Sequence, residues 1–247
     1  MGSSFDKRDL FDELSERKLR EVIATCSSLL EDWNKLSDQG FSFLELLSKE
    51  CVEAHRLTSL TANNSYVSRS SIDIQHISSA FDSLEKTVFQ LQHLSSRIKS
   101  QSHSIQSLRQ LIEQRLKSQS SASSFLSVET FPIGFSWPIG RFVSAVRELS
   151  DMMCAESAAR QRLIQHAVHL LLASSEGVLT NAQLNRALSS PEDPSLEGPF
   201  EDSTHANPSR TAAVLHSAWL RSRHMDSRRA RFLLAALRVE AGLCRPE

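Results

Sequence analysis

The chain has 247 residues, enough for one large domain or two smaller helical units with a sizeable core. Seven Gly, seven Pro and a single Tyr exclude a turn-rich all-β design, while 40% hydrophobic and 23% charged residues are ordinary for a soluble protein. A formal net charge of −1 gives no global attraction to nucleic acid or anionic membrane, so any such contact needs a local patch.

The amino terminus, MGSSFDKRDLFDELSERK, is charged and lacks an apolar h-region, so no secretory signal is expected. Residues 1–17, with isolated Leu10, Phe11 and Leu14, read as a mobile tail. From Leu19 the apolar residues Leu19, Val22, Cys26, Leu29, Trp33 and Leu36 alternate steps of three and four, a helical seam widened by Ile23 and Leu30. Asp38-Gln39-Gly40 supplies a stop, because Gly40 can take the left-handed backbone that ends a helix. A second helix is expected from about Ser42 through Leu44, Leu47, Cys51, Ala54, Leu57 and Leu60, interrupted at Asn63-Asn64-Ser65.

A heptad pattern follows. Ile77, Leu84, Leu91, Ile98, Ile105 and Ile112 fill consecutive d positions, and Ile74, Phe81, Val88 and Leu116 fill a positions, with Ser95, Ser102 and Arg109 between them. Such a sustained apolar seam predicts a coiled coil. Each fully buried Leu or Ile is worth roughly 1.5–3 kcal/mol, so the stripe must face another helix, from this chain or from a partner.

Ser118 to Ser127 reads as a flexible linker. In FPIGFSWPIG, Pro132 and Pro138 impose extended or turn geometry on the residues before them, and Pro138 suits a first helical position with Ser136 near the cap. The next helix carries Ile139, Phe142, Val146, Leu149, Met153, Leu163, Ala167 and Leu170, interrupted by Glu156 and Arg160, and is expected to stop at Glu176-Gly177. A short helix from about Thr180 to Leu188 precedes an acidic, proline-rich loop at about 189–209, for which disorder is expected. Val214, Leu215, Ala218 and Trp219 mark one further helix. Phe232, Leu233, Ala236, Leu237 and Glu240 lie on another, which Gly242 is placed to end. The longest strongly apolar run, Ala167 to Ala173, is far short of the ~20 residues that cross a bilayer.

Catalytic signatures are missing: Gly134 and Gly140 do not form a phosphate-binding loop, and no nucleophile elbow or dinucleotide fingerprint occurs. Cys26, Cys51, Cys154 and Cys244 are scattered without a C-x-x-C pair, which suits reduced intracellular thiols. His166 and His169 share a helix face, but without a neighbouring carboxylate or thiol they read as surface histidines rather than metal ligands. Arg221, Arg223, Arg228, Arg229 and Arg231, opposed only by Asp226, form a basic patch able to meet phosphates or an acidic protein surface; the simpler reading is a solvated helical shoulder. The five basic residues between Thr87 and Lys117 read as a solvated flank of the coiled coil. Arg8, Leu10 and Phe11 have the R-x-L-F form of a cyclin-docking peptide, and the similar Arg231-Phe232-Leu233-Leu234 reads as core-facing. Trp33, Trp137 and Trp219 are core anchors by default and interface anchors as the alternative.

Three blocks resemble the cyclin-dependent kinase 2-interacting protein family. The first is LLEDWNKLSDQGFSFLELL, where Asp32, Trp33, Leu36, Gly40 and Phe41 carry the match. The second is the turn and helix around Trp137-Pro138, continuing as FVSAVRELSDMMCAESAARQRLIQHA. The third is AAVLHSAWLRSRHMDSRRARFLLAALRVEAG, with Trp219-Leu220. Their order also agrees, over most of residues 25–242; the chain departs at about 174–209, where the family has a much shorter connection.

The resemblance implies a nuclear and cytoplasmic adaptor that binds cyclin-dependent kinase 2, the cell division cycle 7 kinase and the ATR-interacting checkpoint protein. It also implies a subunit of an AAA+ ATPase complex acting in ribosomal large-subunit maturation and replisome turnover, hence roles in cell cycle, DNA replication and DNA damage response. We therefore expect an all-α fold, an elongated helical hairpin or coiled coil plus a smaller carboxy-terminal helical unit. Its regions would be a tail (1–17), a coiled-coil region (18–117), a linker (118–131) and a helical region (132–242). Trp33, Gly40, Phe41, Trp137, Pro138, Trp219 and Leu220 are the candidate partner-binding residues. No catalysis, cofactor, metal, membrane, small-molecule substrate or direct nucleic-acid contact is expected. The alternatives are a structural coiled-coil subunit of a kinetochore, cytoskeletal or tethering complex, and nucleic-acid binding through the basic patch.

Overall fold

Helical periodicity is realised along nearly the whole of what the computed structural model describes, residues 13–63, 74–119, 132–173, 208–221 and 224–243. Five α-helices follow in order: α1 (Glu13–Asn63), α2 (Ile74–Gln119), α3 (Ile139–Ala173), α4 (Pro208–Leu220) and α5 (Ser227–Glu240). The fold is all-α; among the described residues the nearest approach to a strand is an isolated bridge between Pro132 and Pro138.

One expected boundary is absent and others move. The stop at Gly40 is absent, and α1 runs through it to Asn63, where the Asn-Asn-Ser interruption was expected. At the other end, Glu13 to Arg17, assigned to the tail, form the first turn of α1. Ser118 and Gln119, assigned to the linker, are the last residues of α2. Pro208 and Ser209, assigned to the 189–209 loop, open α4, while the rest of that loop, the Arg8-Leu10-Phe11 motif, the rest of the linker and the 180–188 helix lie outside the described residues.

The chain forms two compact units. One draws on the ranges Met1–Lys35, Leu91–Ser157 and Arg223–Glu247, the other on Leu36–Gln90 and Ala158–Ser222. Each therefore takes helices from both sides of the 118–131 stretch, so the compact units do not follow the division drawn there from the sequence.

In the first unit the core is built from α1 (Leu19, Ile23, Cys26, Trp33), α2 (Leu91, Ile98, Ile105, Ile112), α3 (Phe142, Val146, Leu149) and α5 (Leu233, Leu237), all buried. In the second, Leu44, Leu47, Cys51 and Ala54 of α1 join Ile77, Ala80, Leu84 and Val88 of α2, Ile164 of α3, and Leu215 and Trp219 of α4 in one cluster.

All six seam residues, Ile77, Leu84, Leu91, Ile98, Ile105 and Ile112, are thus covered by helices of the same chain. The buried stripe is also wider than a two-helix seam. Ala80, Thr87, Leu94 and Leu108, each three residues after a d position, are buried too. α1 and α2 pack closely as the expected helical hairpin, and a stripe of this width also receives the carboxy-terminal helices as a multi-helix core. The polar seam residues are satisfied locally: Ser95 Oγ donates to the Gln92 carbonyl at 2.7 Å, and Arg109 Nε donates to Glu113 at 2.8 Å.

Candidate functional site

The three sequence blocks with Trp residues are brought into contact by the fold, within each unit. In the second unit, a Cβ built on Gly40 would overlap Trp219 Cζ2 and lie 2.8 Å from Cη2. Gly40 is there to admit the indole against the backbone of α1, and not to end a helix. Trp219, 2% exposed, donates its Nε1–H to the Ser37 carbonyl at 3.1 Å. Arg160, buried, lays its guanidinium 4.5 Å from the centre of the indole and donates Nη1–H to Ser37 Oγ at 2.7 Å. A planar cation stacked on indole and hydrogen-bonded at its edge is a geometry that Lys cannot reproduce. Phe41, half-buried, meets the His216 ring edge-on at 5.6 Å, and His216 Nε2 lies 3.1 Å from Ser48 Oγ. Leu220, next to Trp219, is 65% exposed.

In the first unit the Trp137-Pro138 turn joins α5. The Glu240 carboxylate accepts from Ser136 N–H (2.6 Å), Ser136 Oγ–H (2.7 Å) and Trp137 N–H (2.9 Å), groups at the entry to α3 where free backbone donors face outward. Phe135 N–H donates to the Glu240 main-chain carbonyl at 2.9 Å, so one residue holds the turn by both its ends. Partial burial raises the Glu240 carboxyl's pKa, but the bonds from Ser136 and Trp137, with the Arg141 charge, outweigh it and hold the group below the usual glutamate range. Gly134 is also a close-approach glycine, since a Cβ there would meet the Glu240 carbonyl at 2.7 Å. Half-buried Trp137 packs edge-on against Phe142 at 5.6 Å, and half-buried Pro138 accepts from Arg141 N–H.

The two polar interruptions of the α3 seam are structural. Besides Arg160, Glu156 is buried and accepts from His224 N–H at 3.2 Å in the first unit. Trp33 is buried at 1% exposure. Of the candidate partner-binding residues, Trp33, Gly40 and Trp219 therefore serve the core, Phe41, Trp137 and Pro138 lie part-buried against it, and Leu220 faces outward.

The inward face of α5 is Ala230, Leu233, Leu234 and Leu237. Phe232, expected to face the core, is 60% exposed, because the run FLLAAL carries two overlapping apolar stripes and the neighbouring one is buried. Val239 (43%), Leu243 (38%) and Phe135 (86%) are exposed as well. Asp226 caps the helix, accepting from Arg228 N–H and Arg229 N–H, and the Arg229 bond leads in lowering its pKa, with loss of solvation opposing it. Arg229 forms a two-pronged pair with Glu148, at 2.6 and 3.0 Å, which lowers the Glu148 pKa and raises that of Arg229. The basic patch is divided: Arg221 belongs to the second unit, Arg228, Arg229 and Arg231 to the first, and Arg223 lies outside the described residues.

Burial pushes the Cys26 thiol up to about 12, and burial with the Glu50 charge pushes Cys51 up to about 11, so neither is a ready nucleophile. Among the described residues no three His, Cys, Asp or Glu side chains come together as a metal-ligand set, and the His166 and His169 side chains lie outside those residues. An open groove of about 330 Å³ is lined by Ser78, Ser79, Asp82, Ser83 and Lys86. No described helix is long and apolar enough to cross a membrane.

Sequence reasoning read Arg160 and Glu156 only as interruptions of a seam and did not single out Phe135. The usable signal was a charge falling on an otherwise apolar seam position, which marks either an interruption or a buried polar contact. Comparison of the chain with protein-family models finds no match, and comparison with curated proteins finds none either.

Proposed function

We propose that the protein is a non-enzymatic adaptor that recruits other proteins, linking cell-cycle kinases, replication and checkpoint factors, and an AAA+ ATPase complex. The partners that the family resemblance implies are cyclin-dependent kinase 2, the cell division cycle 7 kinase, the ATR-interacting protein and an AAA+ ATPase acting in large-subunit maturation and replisome turnover, in nucleus and cytoplasm.

The observation that carries the reading is that the three blocks behind the resemblance meet in space, Trp219 on Gly40 and Glu240 on the Trp137 turn. Residues that match a family and also pack against one another support a shared fold more strongly than scattered matches would. The apolar seam no longer supports the reading, since the chain covers it by itself. Docking is assigned instead to outward-facing residues.

Affinity purification of the full chain from cells, with mass spectrometry, tests the proposal. Co-purification of a cell-cycle kinase or an AAA+ ATPase is expected; recovery of tubulin, kinetochore or membrane-tethering proteins instead, or of nothing, overturns it.

A further inference from the structure

The outer face of α5 is apolar along its length and basic along one edge. Phe232 and Val239 are seven residues apart, two helical turns, with exposed Ala235 between them. Exposed Phe135 stands beside the last turn of α5, its N–H fixed to the Glu240 carbonyl and its turn held by the Glu240 carboxylate. Phe232 is likewise held, with the Arg229 guanidinium 5.7 Å from its ring centre. Apolar side chains grouped on one exposed helix face, rather than scattered singly, mark an interaction surface.

Charge decides what it fits. At 100° per residue, Arg231 and Arg238 lie along one flank of the Phe232–Val239 line, Arg228 sits on the line at its amino-terminal end, and all three are exposed. None of the three has a carboxylate partner among the described ion pairs. On the other flank Arg229 is neutralised by Glu148, and Glu240 is engaged by the turn. The surface is therefore apolar with a one-sided cationic edge. A second copy presenting the same face would oppose arginine to arginine. A membrane-lying helix would carry basic residues on both flanks.

We propose that this face docks an amphipathic helix of another protein, with apolar residues at three-four spacing and an acidic flank that meets Arg231 and Arg238. The inference rests on the adaptor reading and gives it a surface.

The test places the photo-crosslinker p-benzoylphenylalanine at Val239 of the full chain in cells, with the same group at exposed Phe89 as control, and maps the crosslinked peptides. The expected result is a segment of a second protein with helical apolar spacing and net negative charge, captured from position 239 and not from 89. R231E/R238E should lower that yield on the order of tenfold without changing thermal stability. Crosslinks to another copy, to residues 120–131 or 189–209 of the same chain, to lipid or to nucleic acid overturn the proposal, as does a yield no higher than the control. If F232A/V239A retains every partner of the unaltered protein, the surface falls while the adaptor reading stands. If the unaltered protein retains none, the adaptor reading itself fails.

Discussion

Gly40 and Gly140 make opposite demands on a methyl group. At Gly40 an added Cβ collides with the Trp219 indole, so G40A must displace a buried ring, and we expect a loss of about 2–3 kcal/mol by urea unfolding. At Gly140 nothing lies within 4 Å, and G140A in the first turn of α3 should be neutral or stabilising by up to about 1 kcal/mol. If the two variants unfold alike, the close approach at Gly40 is wrong. Sequence patterning misread Gly40 as a stop because a local period contains no sign of an indole contributed from beyond position 200. Arg160 was hidden for the same reason: its partners, Ser37 and Trp219, are distant in sequence. Buried thiols give a second check. Cys26 and Cys51 should stay unlabelled by iodoacetamide at pH 8 in the folded protein and react at once in denaturant, because thiolate formation at sites with values near 12 and 11 is suppressed.

At the scale of elements, α5 is held by its ends. Its carboxy terminus has a Schellman arrangement, with Gly242 at φ 70°, its N–H on the Val239 carbonyl and Leu243 N–H on the Arg238 carbonyl. That stop was legible in the sequence, since only the last-turn glycine suits the left-handed conformation. Which face of α5 turns inward was not legible, because two apolar stripes overlap in one short run. The grip of Glu240 on the Trp137 turn is pH-dependent. Its folded value lies below the unfolded one, so the stability it supplies is complete at neutral pH and is lost as pH falls below about 4.3 and through the lowered folded value. E240Q should therefore be less stable by about 1 kcal/mol at pH 7 and should differ less from the unaltered protein in acid. Parallel stability curves for the two from pH 7 to pH 3 would contradict this.

For the molecule as a whole, the heptads correctly announced six consecutive buried residues on one helix, but not what buries them. A seven-residue repeat is shared by two-stranded coils and by bundle helices, and the extra buried positions at Ala80, Thr87, Leu94 and Leu108 decide for the bundle. Shielding within one chain has a measurable signature: unfolding should not depend on protein concentration. I98A should cost about 2–5 kcal/mol without altering the mass measured by light scattering. A dimer held along α2 would instead dissociate. The pairing of Trp219 with Ser37 spans 182 residues. A ribosome delivers α1 and α2 long before α4 emerges, so the indole that seats against Gly40 arrives well after the helix that receives it. Until then the nascent chain has no native cover for that side of its growing core, which makes that interval one in which chaperones can shield it.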